Sequence, residues 1–347
     1  MSLSFRMKGG RSSVSGIKAT VFGCTGFLGS YVVNRLGRVG STVVAAYRGD
    51  EIYARKLKPM GDLGQINLTP CSIRSVSEIE RAVGESEPIL PCLIKPTPPY
   101  LIKTILPLLR WSFEDVNASF PAALGEICKA QGVSQLVHIS ALGASLDSPS
   151  KWSASKAEGE ARLKASFPSA TILRPATFFG DADRFLNRLA KLSQTLPFVP
   201  LIEADKTRQQ PVYADDVAAA IIHAITTPSM AGSTVELAGP KVYTNQQLVD
   251  YVLRIIDEPS NGFNVPASVG MILARMTEKL PDAWLTRDQL LRESVDIIRA
   301  DGLTGFEEMG ITPTAIEDVA ERYLIRFRKS SIMLDRENSK IIGQQSI

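Results

Sequence analysis

The stretch Ile17 to Ser30, IKATVFGCTGFLGS, decides how this chain folds. An apolar, β-branched run ends at Gly23, glycines recur at Gly26 and Gly29, and the residues that follow carry helical apolar spacing. A strand, a glycine turn and a helix start in this order form one wall of a dinucleotide site. Gly23 permits the tight turn, Gly26 lets backbone approach a pyrophosphate, and Gly29 allows the helix to pack closely on the strand. The N–H groups from Thr25 to Leu28 then point at the anion, where the helix dipole favours negative charge. An ordinary glycine turn is the plainer alternative; the setting between a buried strand and an amphipathic helix argues against it.

Working outward, Phe27 to Gly40 reads as the helix and Ser41 to Tyr47 as a second strand, which makes a right-handed parallel unit. A third strand is expected near Gln65 to Thr69, then a helix at Val76 to Val83. Further on, helix Phe113 to Ala130 precedes strand Leu136 to Ser140, and helix Trp152 to Ser166 precedes strand Ala170 to Leu173, ended by Arg174 and Pro175. Past Pro175 the pattern predicts helix Tyr213 to Thr227, strand Ser233 to Ala238, and a helix capped by Thr244. Helices are also expected at Ser268 to Lys279, Arg287 to Ser294 and Thr314 to Arg328, the last with Thr314 and Glu317 as a capping box. The fold class is α/β: a Rossmann-like doubly wound parallel sheet over 17–180, with a smaller, mostly helical C-terminal lobe over 181–330 that returns elements to the sheet. Residues 1–16 and 331–347 are tails.

A chain of 347 residues that is 44% hydrophobic can bury one large core and a smaller one. Its formal charge of +3, with no basic stripe interleaved with aromatics, argues against a nucleic-acid surface. Cys24, Cys71, Cys92 and Cys128 form no CxxC pair, which points to reduced thiols and no metal. His138 and His223 lie in apolar runs and read as packing residues. No acid precedes Asp50, while Arg6, Lys8, Arg11 and Lys18 open the chain; a mitochondrial transit segment and a disordered basic tail both fit. The apolar stretch Ile89 to Trp111 holds Lys95, Lys103 and prolines at 91, 96, 98, 99 and 107, which excludes a membrane span. Ile89 to Ile94 could supply a fourth strand, and the irregular run over 88–112 reads either as an insertion loop or as a sequence error.

At the end of the second strand, an acid would hold the ribose of NAD and an arginine the 2′-phosphate of NADP. Arg48 stands there and favours NADP(H) by bidentate pairing; Asp50 leaves room for NAD. Ser140 ends a strand, and Lys156 follows Trp152 by four residues in WSASK. Dehydrogenases built this way need a tyrosine where Trp152 stands, because the phenol relays the proton and an indole N–H cannot. No tyrosine in the chain has a lysine four residues on, so a shifted register does not restore the motif. Ser140 as a plain strand-end hydroxyl and Lys156 as a surface lysine are the bland alternatives.

The blocks GIKATVFGCTGFLGSYVVNRLGRVGS, KPMGDLGQ, QLVHISALGAS, SKAEGEA, ILRPATFFGDADRFLN, QQPVYADDVAAAI and WLTRD together resemble the NADPH-binding accessory subunits of mitochondrial respiratory complex I, atypical members of the extended short-chain dehydrogenase/reductase superfamily. The resemblance implies a non-catalytic chain at the matrix side of the mitochondrial inner membrane, with tightly bound NADPH. Its partners would be other complex I subunits of the matrix arm, near the junction with the membrane arm and the quinone region. Carried over by position, Gly23, Thr25, Gly26, Phe27, Leu28 and Gly29 would hold the pyrophosphate and Arg48 the 2′-phosphate. Lys156 would hold the nicotinamide ribose and Pro175 with Phe178 the nicotinamide side, with Ser140 a further cofactor-binding candidate. The chain departs from the family at Ser72, where an aspartate facing adenine is usual, and in the proline-rich run that replaces the fourth-strand block.

Two other readings compete with the accessory subunit. One is a free-standing NADP-dependent reductase or epimerase that uses Lys156 or an acid such as Asp215 in place of the tyrosine. The other is a cytosolic scaffold whose partner binding follows cofactor occupancy. Exposed apolar surface on the C-terminal helices is expected of an assembly subunit.

Overall fold

Residues 18 to 22 form β1, Lys18–Phe22, in which Ala19 to Phe22 are all buried. A run covered on both faces marks a central strand with helices on either side. The computed structural model describes residues 14–84, 89–91, 112–195, 199–202, 207–259, 262–265, 267–277, 286–300 and 302–328. The two tails and most of the proline-rich run therefore lie outside the described residues, as do Cys92 and Trp284.

After the glycine turn, α1 spans Phe27–Arg38 and returns the chain to β2, Thr42–Tyr47, parallel to β1. Helix α2, Glu51–Arg55, leads to β3, Ile66–Pro70, which pairs with β2; α3, Val76–Gly84, leads to β4, Ile89–Pro91, on the other side of β1. The helix expected over Phe113 to Ala130 opens with a wide π-type turn at Asp115–Ser119 and continues as α4, Phe120–Ala130, with a proline in its first turn. Strand β5, Val137–Ile139, helix α5, Lys151–Ser166, and strand β6, Thr171–Pro175, complete the first half.

Short strands β7, Phe178–Phe179, β8, Val199–Ile202, β9, Arg208–Gln209, and β10, Val212–Tyr213, surround helix α6, Leu186–Thr195. Helix α7, Ala214–Thr226, and β11, Thr234–Leu237, then return to the main sheet, β11 pairing parallel with β6. Strand β12, Tyr243–Thr244, runs into α8, Asn245–Ile256, followed by β13, Gly262–Val265, α9, Ala267–Thr277, α10, Arg287–Glu293, and α11, Ile316–Leu324.

The hydrogen-bonded orders are β3-β2-β1-β4 and β5-β6-β11, and β4 packs against β5. That is the doubly wound α/β arrangement, whose strand order reverses beside β1, where ligands bind at the carboxyl ends of the strands. One core cluster joins α1 and α7 to one face of the sheet, with Val32, Leu36, Val217 and Ile221 fully buried. A second puts Ile79, Phe120, Leu124 and Leu163 on the other face, and a third gathers Leu186, Val252, Ala320 and Leu324 among the C-terminal helices.

The Thr244 cap of α8 forms as the sequence predicts, reciprocally with Gln247. The box at Thr314 and Glu317 does not. Ala315 occupies the cap position of α11, and Thr314 instead donates its N–H to Asp216 Oδ2 at 2.6 Å, fastening α11 to α7. Glu317 accepts from Lys241 and Tyr243. The first acids of α7 are likewise used in packing: Asp215 makes a two-pronged bond with Arg35 of α1, both contacts 2.7 Å. On α9, the side chains of Val269, Ile272 and Met276 are 46%, 62% and 67% exposed and share one face by their spacing.

Candidate functional site

Gly23 lies at φ 74°, the left-handed region, so the turn out of β1 requires glycine. Gly26 donates its N–H to the Gly23 carbonyl at 2.9 Å, and a β-carbon on Gly26 would stand 3.1 Å from that oxygen. At Gly29 an added β-carbon would collide with the Gly23 carbonyl and the Cys24 α-carbon. Helix α1 starts from Gly26 with no side-chain cap and no acid in its first turn. Uncapped first-turn N–H groups at the positive end of a dipole suit a pyrophosphate. Lys56, which the sequence reading missed, adds a cation over the turn by donating to the Thr25 carbonyl at 3.4 Å. Beneath it the Cys24 thiol donates to the Ala46 carbonyl, and burial pushes its pKa up to about 12, so it is inert.

The turn opens into a cavity of about 800 Å³ that runs from Thr25, Gly26 and Phe27 to Ser140, Trp152, Pro175 and Phe178. That volume is within the range of cofactor sites. Phe27 sits edge-on to Tyr31 and to Phe178, with ring centroids 5.4 and 6.3 Å apart, so one wall is aromatic. Leu28 is 2% exposed and packs into the core, so its side chain serves the fold and only its backbone belongs to the turn.

Helix α5 delivers Trp152 and Lys156 to the same region. The helix is fixed by Arg174 of β6, which donates to both oxygens of the buried Glu160. Ser140 is buried and, among the described residues, neither its hydroxyl nor the indole N–H of Trp152 has a hydrogen-bond partner. Both residues line the cavity, with these two polar atoms themselves occluded from solvent. Leaving them unsatisfied is costly unless a ligand or water completes them. Lys156 is buried but not on the cavity wall, and its ammonium donates to the Ile139 carbonyl at 3.1 Å. The alternative of a plain surface lysine is thereby excluded. Asp215, the acid offered as a substitute for tyrosine, is held by Arg35 and does not line the cavity, which corrects that alternative.

His138 is 2% exposed in β5, both ring nitrogens are without partners among the described residues, and burial, then the Lys156 charge, push its pKa down to about 3. It is a neutral core residue at physiological pH. The thiols of Cys71 and Cys128 are raised by burial to about 11 and about 12. Among the described residues, no group of three or more His, Cys, Asp or Glu is placed to hold a metal, and no helix is long and apolar enough to cross a membrane.

Arg48 extends from the end of β2, where partial desolvation and then the neighbouring Arg74 charge lower its pKa. Arg74 itself pairs with Asp115 at 3.1 Å. Asp50 is committed otherwise: its carboxylate caps α2 by accepting from Ile52 N–H at 2.9 Å. Ser72 turns onto its own loop, where its N–H donates to Glu78 and its hydroxyl accepts from Arg74 N–H. Arg48 and Ser72 lie outside the main cavity wall. The sequence reading also missed Tyr31, Arg188 and Arg292, which line the cavity from α1, α6 and α10. Arg292 lies close behind the WLTRD block, the one signal that could have drawn attention to it.

The sequence pattern of the NAD dependent epimerase/dehydratase family matches residues 19–238. The chain is 38% identical to mitochondrial NADH dehydrogenase [ubiquinone] 1 alpha subcomplex subunit 9 of Mus musculus, over 92% of this chain and 83% of that one. It is 35% identical to the protein of the same name from Arabidopsis thaliana, over 92% and 80% of the two chains. A dTDP-glucose 4,6-dehydratase from Streptomyces venezuelae, solved with NAD bound, shares the fold at a TM-score of 0.67 and 17% identity, over 90% of this chain and 96% of that one. With an NAD(P)-type Rossmann site in place and relatives of this identity along nearly its whole length, the chain belongs to the NAD dependent epimerase/dehydratase family and, within it, to the family of mitochondrial alpha subcomplex subunit 9 proteins.

Proposed function

We propose that this chain is a non-catalytic accessory subunit of mitochondrial respiratory complex I that holds NADPH as a structural cofactor, on the matrix side of the inner membrane near the quinone region. The observation that carries the cofactor half is the uncapped start of α1 facing the cavity, with a side-chain-free Gly26 at its mouth. Thr25 to Gly29 would bind the pyrophosphate through backbone N–H groups. Arg48, with Arg74 beside it, would take the 2′-phosphate, since Asp50 is occupied in a cap. Ser140 would lie at the nicotinamide end and Pro175 and Phe178 beside the ring, whereas Lys156, off the cavity wall and bonded to the Ile139 carbonyl, would act on the ribose only if that bond were released.

Bound NADPH would supply a reducible nicotinamide, and this chain offers no side chain at Trp152 to move a proton to or from a substrate. The names of the relatives support the subunit half, and the exposed Val269, Ile272 and Met276 face of α9 supplies apolar surface for a neighbouring subunit. Nucleotide bound only by the folded chain would stabilise it by about 4 kcal/mol at a thousandfold excess over Kd. Native gel electrophoresis of the endogenous protein tests the subunit half: it should travel with complex I. Migration only as a small soluble species, with steady NADPH oxidation on a carbonyl panel, supports the free-standing reductase or epimerase instead.

A further inference from the structure

We propose that Arg292, held against the ring of Trp152, makes this pocket select the reduced cofactor over the oxidised one. The inference rests on the NADPH reading above and goes beyond it. The guanidinium carbon of Arg292 lies 4.9 Å from the Trp152 ring centroid, and both residues line the cavity that also holds Ser140, Pro175 and Phe178. A cation over an indole face is attracted by the ring quadrupole, more so when water is excluded. Trp152 stands where a phenol would be in a working reductase, so the substitution does more than remove a proton relay. It supplies a platform that fixes a positive charge at the nicotinamide end.

That charge is poorly compensated. Among the described residues, Arg292 makes no ion pair, and loss of solvent is the leading influence on it, lowering its pKa. The charges of Glu293 and Asp288 offset it in part, and that of Arg188 opposes them, but both acids are also engaged by other groups. Glu293 accepts from Gln289 at 2.7 Å and from Arg188 at 3.4 Å. Asp288 accepts from Ser150 and from the Lys151 N–H at the start of α5. Of the other carboxylates on the cavity wall, Asp181 is exposed to solvent. Asp183 is buried, burial raises its pKa, and its oxygens accept from the N–H groups of Gly180, Phe185 and Asn187 and from the Tyr323 hydroxyl. Lys156 adds a second buried cation one helical turn from Trp152.

The oxidised nicotinamide ring carries a positive charge and the dihydronicotinamide ring is neutral. A fixed cation in a partly desolvated site repels the first and not the second, and at an effective dielectric constant of about 20 this is worth about tenfold or more in affinity. The two forms share the 2′-phosphate and pyrophosphate, so the contributions of Arg48 and the glycine turn cancel in the comparison. About tenfold tighter binding of NADPH raises the potential of the bound couple by about 30 mV, which keeps the cofactor reduced.

The test is calorimetric titration of the purified full-length chain with NADPH and with NADP⁺. The wild type is expected to bind NADPH about tenfold more tightly, Arg292→Lys to keep that ratio, and Arg292→Met to lower it severalfold, with Lys156 left as the remaining cation. Arg292→Gln replaces the methionine variant if that one does not fold. Equal wild-type affinities, or a ratio unchanged when the charge is removed, overturn the inference while leaving the NADPH site standing. Failure of the wild type to bind either form overturns the NADPH reading and this inference together.

Discussion

Gly29 packs so closely on Gly23 that a β-carbon at Gly29 would run into the Gly23 carbonyl oxygen and the Cys24 α-carbon. The obstruction is backbone, which cannot swing aside as a side chain would. Gly29→Ala therefore has to lift α1 off the end of β1, at a cost of about 2 to 3 kcal/mol by the usual scale of overpacking. Urea denaturation should show that loss, and nucleotide titration should show binding weakened with it, because the first-turn N–H groups move. A variant of wild-type stability would mean that the turn is looser than its geometry indicates.

If Arg48 holds the 2′-phosphate as proposed, Arg48→Ala would remove a charge-assisted contact without touching the glycine turn. Such contacts are worth about 1.5 to 3 kcal/mol, so NADPH affinity should fall about 10- to 100-fold. NADH, which lacks the 2′-phosphate, should bind as before. Titration of both nucleotides checks this, and equal losses for the two would remove Arg48 from the phosphate site.

His138 gives a pH dependence with a definite sign. Its folded pKa of about 3 lies below the ordinary 6.5, so below pH 6.5 the unfolded chain takes up a proton that the folded chain refuses. Stability from this group is complete above pH 6.5 and is lost as pH falls toward 3. Between pH 7 and pH 5 the loss is about 2 kcal/mol. His138→Leu should be less acid-sensitive by that amount in denaturation curves at the two pH values, and an unchanged difference would show the imidazole to be solvated.

The sheet and its glycine turn were legible in the sequence because their signals are local, β-branched runs and three spaced glycines, and so was the Thr244 cap of α8. What was missed is set by distant partners. Thr314 and Glu317 have capping-box spacing, but Asp216, 98 residues away in sequence, takes the Thr314 N–H. Asp215 looked like a chemical candidate, and it clamps Arg35, 180 residues away in sequence. Arg292 meets Trp152 only because α10 folds back beside α5, and no local period announces that contact.

The exposed face of α9 is the part of the account that concerns assembly. Ile272→Asp and Met276→Asp change side chains that are 62% and 67% exposed, so the free chain should lose no more than about 0.5 kcal/mol. Incorporation into complex I, read by native gel in cells that depend on the variant, should fall severalfold. Normal incorporation would place the subunit contact elsewhere on the chain.

The central claim is that the pocket grips a pyridine nucleotide it does not turn over. It is tested most directly by isolating intact complex I through this chain, incubating it with a panel of carbonyl compounds, and identifying the nucleotide released on denaturation by mass spectrometry. The account predicts about one NADPH per chain, still reduced after incubation. Recovery of no nucleotide, or of cofactor oxidised by the incubation, would contradict it.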